Sequence, residues 1–218
     1  MIIAIDGPAA AGKGTLARQL AERLGLAYLD TGLLYRAVGV AVLREGASPD
    51  DAAAAIKAVR QLGPAVLCDP MLRSEESGQA ASCVAAIPAV RAALLDFQRT
   101  FARHPPAGGK GAVMDGRDIG TVVCPEADHK LFVTASLEVR VRRRVKELRE
   151  QGMRVIEDRI LEKMRERDQR DRERIVAPLV PVPGALVLDT SGMDADAALA
   201  AALAYVSTER ASRRDSLA

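Results

Sequence analysis

The run Gly7, Pro8, Ala9, Ala10, Ala11, Gly12, Lys13, Gly14, Thr15 constrains the fold of this chain more than any other segment. It follows an apolar, β-branched stretch at 2–5 that Asp6 ends, and it leads into helical periodicity over 15–24 that stops at Gly25. A buried strand, a glycine loop and a helix in that order aim main-chain N–H groups and the positive end of the helix at one anion, with Lys13 within reach of its outer phosphates. The pattern is that of a phosphate-binding loop with one difference: the hydroxyl that normally follows the lysine arrives one residue late, at Thr15.

The rest of the chain repeats the theme. Short apolar runs at 27–30, 112–115, 130–134 and 185–189 alternate with helical stretches at 34–44, 49–61 (entered through Ser48), 75–103 (broken at Pro88) and 195–206, and two charged helices flank Gly152. A brief apolar piece lies at 65–68, a Pro/Gly linker at 104–111, and a polar tail that should fray begins at Thr208. Buried strands separated by helices call for a parallel sheet covered on both faces, a three-layer α/β/α core. Ligands in such sheets collect at the carboxyl ends of the strands, where Asp6, Asp30, Asp115 and Asp189 all fall. At 218 residues, one core carrying insertions is expected rather than two full domains.

Composition narrows the partner. Between 140 and 174 twelve arginines and two lysines face nine acids, a local +5 in a chain whose net charge is +2, so the basic block points to an anion. Aromatics are only 3% and there is no Trp, which leaves few stacking platforms for a nucleic-acid polymer and favours a small phosphorylated ligand. No run of 18 uncharged apolar residues suggests a membrane span, and the N-terminus lacks the features of a secretory signal, so a cytoplasmic location is expected. Cys68, Cys83 and Cys124 form no CxxC pair and stand away from His104 and His129, so they read as small core residues.

The chemistry follows from the strand ends. The chain contains no Asn, which removes the Asn-Lys-x-Asp base reader of guanine-nucleotide switches and leaves a small-molecule kinase as the simplest case. Arg36, one turn into the helix after Asp30-Thr31, is a candidate for an acceptor phosphate, and Asp115-Gly116-Arg117-Asp118 sets two carboxylates around an arginine. Asp115 stands where an acid would meet a hydrated metal. Positions 167, 170, 171 and 174 are spaced to bring three arginines and Asp171 to one helix face, leaving Asp168 and Glu173 on a solvated face. A nucleotide- or RNA-binding module using the same block is the rival reading; it implies salt-sensitive binding without turnover.

GPAAAGKGT, DTGLLYRA, SCVAAIPAVRAAL, DGRDIGTVV and RDQRDRERIVAPLVP resemble, in order and spacing, the motifs of the bacterial cytidylate kinases, a family of nucleoside monophosphate kinases. The resemblance implies transfer of a phosphoryl group from ATP, with Mg²⁺, to CMP or dCMP. It implies a parallel-sheet core (about 1–34, 104–145 and 175–207), a monophosphate-binding insertion (about 35–103) and a lid (about 146–174), in a monomer that binds neither nucleic acid nor membrane. It places Gly7 to Thr15 on ATP, with Arg140, Arg143 and Arg144 as ATP-side contacts just before the lid. Thr31, Tyr35 and Arg36 line the acceptor site, Ser82, Arg91 and Asp118 read cytosine, Arg36, Arg117 and Arg174 hold the acceptor phosphate, and Arg167 with Asp171 meets the ribose. Lys13, Arg117, Arg167 and Arg174 are the implied catalytic residues, and Asp115 holds Mg²⁺ through water. Two departures from the family pattern stand out: a shortened segment between 62 and 82, where 68–73 replaces a small antiparallel sheet, and Ala9-Ala10 where many members have Ser-Gly.

Overall fold

The computed structural model describes residues 1–63 and 69–215, with the backbone alone at 107 and 209–215. Five strands pair in parallel: β1 (Ile2–Asp6), β2 (Ala27–Asp30), β3 (Ala112–Gly116), β4 (His129–Thr134) and β5 (Leu186–Asp189), in the spatial order β2-β3-β1-β4-β5. The period of two along β1 sorts its side chains between layers. Ile3 and Ile5 join Val113, Leu131 and Val133 in a core closed by α1 (Lys13–Leu24) and α8 (Ala195–Asp215). Ala4 joins Ala112 and Met114 on the opposite face, against a π-helical turn at Ile119–Val123 and α5 (Pro88–Arg103). The expected three layers are therefore present.

Strand order places the crevice. From β1 the chain moves to one side of the sheet and from β3 it crosses to the other, so their carboxyl ends diverge and leave an opening between Gly7 and Gly116. Around it stand two helical additions. One contains α2 (Thr31–Arg44), α3 (Ala52–Arg60) and α4 (Glu75–Val84), whose core of Leu34, Val38, Val42, Ala55 and Val84 is shared with Val90 and Leu94 of α5. The other pairs α6 (Leu137–Glu150) with α7 (Glu157–Glu173) along a seam of Val141, Val145, Leu148, Ile160 and Met164.

Several boundaries differ from the sequence reading for local reasons. The third helix starts at Ala52, not residue 49, because the Asp51 side chain accepts the N–H groups of Ala53 and Ala54 at 2.9 and 3.1 Å. Pro88 does begin a new helix, and α4 and α5 meet at 101°. The last helix continues past residue 206 to Asp215, where fraying had been expected from Thr208. The apolar piece at 65–68 lies outside the described residues, as does Cys68. Among the described residues no single helix is long and apolar enough to cross a membrane.

Candidate active site

The phosphate loop is shaped by main chain. Gly7 has φ +153° and faces the Val133 carbonyl so closely that a Cβ would stand 1.9 Å from the oxygen. Ala10 is held at φ 58° and Gly12 at φ 89°, and the latter turn delivers the chain into α1 at Lys13. The Lys13 ammonium donates to the Pro8 carbonyl at 3.3 Å. Burial, helped by the nearby Arg117 guanidinium, pulls its pKa down to about 7. A buried lysine with one carbonyl partner, at a helix N-terminus, is short of negative charge.

Above the loop opens a cleft of about 450 Å³ lined by residues of the loop, α2, α4, β3 and both charged helices. On its donor side the Tyr28 hydroxyl donates to Asp115 Oδ1 at 3.1 Å, while Asp115 Oδ2 lies 3.7 Å from where a Cβ on Gly14 would be. Burial and the neighbouring Asp30 carboxylate raise Asp115 to about 6. Among the described residues no group of three or more His, Cys, Asp or Glu could enclose a metal ion. Of the carboxylates that line this cleft, the two whose charge acts on Lys13, Asp30 and Asp115, would suit a hydrated Mg²⁺ whose remaining ligands come from phosphate. Thr15 lines the cleft with an exposed side chain.

The wall across the cleft from the loop is a lattice of arginines and acids. The Arg36 guanidinium donates through Nη1 to Leu72 O at 2.9 Å, Ser74 O at 3.1 Å and Ser77 Oγ at 2.7 Å, and its Nη2 lies beside Gly78 next to Arg167 Nη1. Asp171 accepts from Ser82 Oγ at 3.1 Å and from Arg117 Nε at 2.8 Å. Burial opposes its charge, yet Arg117 and Arg167 hold it down at about 2. Asp118 pairs with Arg91, which stacks 5.6 Å from the Tyr35 ring centre, and Arg174 Nη2 stands 3.7 Å from its other oxygen. Like Arg174, whose buried Nη2 has no hydrogen-bond partner among the described residues, Arg167 is left short of acceptors. Burial and Arg117 lower its pKa to about 9, and its buried Nε has no hydrogen-bond partner among the described residues. An unsatisfied guanidinium in a basic cleft has a donor left for an anion.

Most residues read from the sequence thus line one cleft: Ala9, Ala10, Gly12, Lys13, Gly14, Thr15, Thr31, Tyr35, Arg36, Ser82, Arg91, Asp115, Arg117, Asp118, Arg144, Arg167, Asp171 and Arg174. Gly7, Pro8 and Ala11 lie off its lining. Arg140 does not line it either: its guanidinium is buried and pairs with Asp168 through two bonds of 3.1 and 2.6 Å. Asp168, expected on a solvated face, is correspondingly buried, because a helix packed on α6 has no solvated side there. Arg144 donates to Glu75 at 2.9 Å and Glu147 at 2.8 Å, spanning from α6 to α4.

Arg143, expected with Arg144 on the ATP side, also lines the cleft, whereas sequence reasoning missed Tyr28, Arg18 and Glu75 in the lining. That reasoning placed Asp6 at a strand end but missed its role: its two carboxylate oxygens accept the Ile119 and Gly120 N–H groups at 2.8 Å each and so fix the loop carrying Asp118. The only signal for Asp6 was a charged residue closing an otherwise apolar strand.

Comparison with known proteins agrees with this geometry. The family model described as cytidylate kinase matches residues 3–208. A cytidylate kinase of Paramagnetospirillum magneticum is 65% identical over 96% of this chain and 99% of its own length, and one of Rhodospirillum rubrum is 64% identical over 93% and 95%. A crystal structure of an uncharacterized protein from Eubacterium ventriosum covers 95% of this chain and 98% of its own with a TM-score of 0.55 at 16% identity, which speaks to the fold alone. With a family model and relatives of this identity spanning nearly all of the sequence, the chain belongs to the cytidylate kinase family.

Proposed function

We propose that the protein is an ATP:CMP phosphotransferase, which transfers the γ-phosphoryl group of ATP to CMP or dCMP and releases ADP with CDP or dCDP. The observation that carries the reading is the pairing of walls in one cleft: a lysine-bearing phosphate loop faces Arg36, Arg117, Arg167 and Arg174. One wall suits a triphosphate and the other a monophosphate.

In this reading the loop N–H groups and Lys13 hold the ATP phosphates, with Arg144 beside them. Arg36, Arg117 and Arg174 hold the acceptor phosphate so that its oxygen attacks in line. Asp115 would hold a hydrated Mg²⁺ through water, and that ion would supply charge neutralisation at the phosphates. Phosphoryl transfer needs positioning and charge stabilisation more than proton transfer, so the arginines and Lys13 carry catalysis and no general base is invoked. A hydroxyl displaced by one position is turned by about 100° around a helix, which argues against Thr15 as a direct metal ligand.

Cytosine recognition falls to Ser82, Arg91 and Asp118. A carboxylate and a hydroxyl complement its amino group and a guanidinium its N3 and O2, whereas the O4 of uracil would face Asp118 unfavourably. Arg167 and Asp171 meet the ribose. Residues 35–103 act as the monophosphate-binding insertion and 146–174 as a lid that excludes water on closing. The working form is a cytoplasmic monomer. A coupled assay across CMP, dCMP, UMP, AMP and dTMP tests the reading: CMP and dCMP should be the best acceptors, and a better rate with UMP or AMP would overturn the base assignment.

A further inference from the structure

Arg167 poses a positional problem. Its Nε is buried without a hydrogen-bond partner among the described residues, and its Nη1 stands beside Arg36 Nη2 over Gly78. Two guanidinium groups repel one another, so the direction of Arg167 is imposed by the helix that carries it. That helix rests on α6 mainly through the side chains of Ile160 and Met164 against Val141, Val145 and Leu148. Such an apolar seam is non-directional and tolerates rotation and sliding of one helix on the other.

The seam ends toward the cleft in a directional contact. Asp168 continues the buried row of Ile160 and Met164 on α7, and Arg140 occupies the matching place on α6. The two are joined by parallel hydrogen bonds of 3.1 and 2.6 Å, and both side chains are at least nine-tenths buried. Arg140 is itself fixed. Its Nε donates to Ala135 O at 3.0 Å, and its Nη1 also donates to Ala9 O of the phosphate loop at 3.3 Å. Desolvating two such charges offsets most of their attraction, so the pair adds little to stability, but its planar geometry fixes orientation.

We propose that the Arg140–Asp168 pair positions the acceptor-side residues: it sets the rotation of α7 so that Arg167, Asp171 and Arg174 face the acceptor, and it ties that orientation to the phosphate loop through Ala9. The proposal rests on the phosphotransferase reading and adds to it a residue pair that touches neither nucleotide. It replaces the role expected for Arg140 as an ATP contact with one exerted through Asp168.

A double-mutant cycle separates these roles. Asp168→Asn should lower kcat/KM for CMP by about 30-fold while KM for ATP stays within about threefold. Arg140→Met should lower kcat/KM for CMP to a similar extent, and the double variant should be no worse than the poorer single one. Multiplying losses, or an Asp168→Asn protein with wild-type constants for CMP, would overturn the proposal. A merely structural pair would shift the unfolding midpoint and leave the constants of the folded enzyme alone. Should a single variant fold poorly, Arg140→Met with Asp168→Leu restores an apolar contact, and is expected to melt near the wild type yet keep the CMP defect; recovery of full kcat/KM there would count against positioning. If the wild-type protein itself does not turn over CMP, the functional reading fails first. Hydrogen exchange at 164–171 then decides: faster exchange in Asp168→Asn supports the latch, and unchanged protection refutes it.

Discussion

The phosphate loop and the arginine face of α7 are both proposed anion sites, but they are built in opposite ways. At the loop the binding groups are main-chain N–H groups around one lysine, so side-chain identity matters little wherever the backbone can follow its path. On the wall that α7 helps to form the groups are side chains, each aimed by something else: Arg117 by Asp171 of α7, Arg91 of α5 by Asp118, and Arg167 by the packing of its helix. The loop should therefore resist substitution where a Cβ has no room, and α7 where a partner is removed.

This difference also decides how much could be read in advance. The loop is a local feature, and so are the five strands, whose apolar runs announce themselves within a few residues. The α7 face was half legible: spacing put Arg167, Arg170, Asp171 and Arg174 together, yet Arg170 does not line the cleft with the other three, and spacing alone cannot tell a face packed on a neighbouring helix from one in water. Asp168 was accordingly assigned to solvent and Arg140 to ATP, although they bind each other across 28 positions of chain. Asp6, tied to Gly120 across 114 positions, was illegible for the same reason.

The sharpest way to break the comparison is at the one side chain the loop does depend on. Lys13→Ala should lower kcat by about a thousandfold or more, since it removes a charge placed on the transferring phosphates. The fold should survive, because the loss relieves a buried ammonium whose only hydrogen bond among the described residues is to Pro8. Steady-state rates with circular dichroism and a melting curve check both halves. Retention of full rate would sink the catalytic model.

On the other wall, Arg167→Ala should cost about a hundredfold in kcat/KM for CMP with KM for ATP little changed. Equal losses for both substrates would mean that the two walls are not separate binding units.

A smaller effect should appear with pH. The pKa of Lys13 lies near 7 in the nucleotide-free protein, so at pH 8 much of it is neutral. A bound polyphosphate favours the ammonium and raises that pKa, so the complex holds more protons than its components. ATP affinity should therefore fall as pH rises from 7 to 9, by at most about tenfold per unit, and binding at pH 8 should take up protons. Calorimetry in two buffers of different ionisation enthalpy measures the uptake, which Lys13→Ala should abolish.

The smallest effect belongs to Ala10, where the tolerance of the loop has a measurable limit. Ala9-Ala10 replaces the Ser-Gly of many relatives by resemblance, and a need for N–H groups alone makes that change neutral. The structure adds a cost, because Ala10 adopts φ 58°. That left-handed conformation costs a residue with a Cβ about 1–2 kcal/mol relative to glycine. Against it stand the flexibility glycine adds to the unfolded chain, about 0.4–1 kcal/mol, and the contact of the Ala10 methyl with the α6–α7 seam. These terms nearly cancel, so Ala10→Gly should change unfolding free energy by less than about 1 kcal/mol and leave the rate within about twofold. Gly7→Ala, at the other end of the same loop, should by contrast fail to fold, since its Cβ would overlap the Val133 carbonyl at 1.9 Å. If Ala10→Gly instead slowed turnover tenfold or more, the methyl group rather than the N–H path would be what sets the loop against α6 and α7, and the two walls of the cleft would share a side-chain dependence.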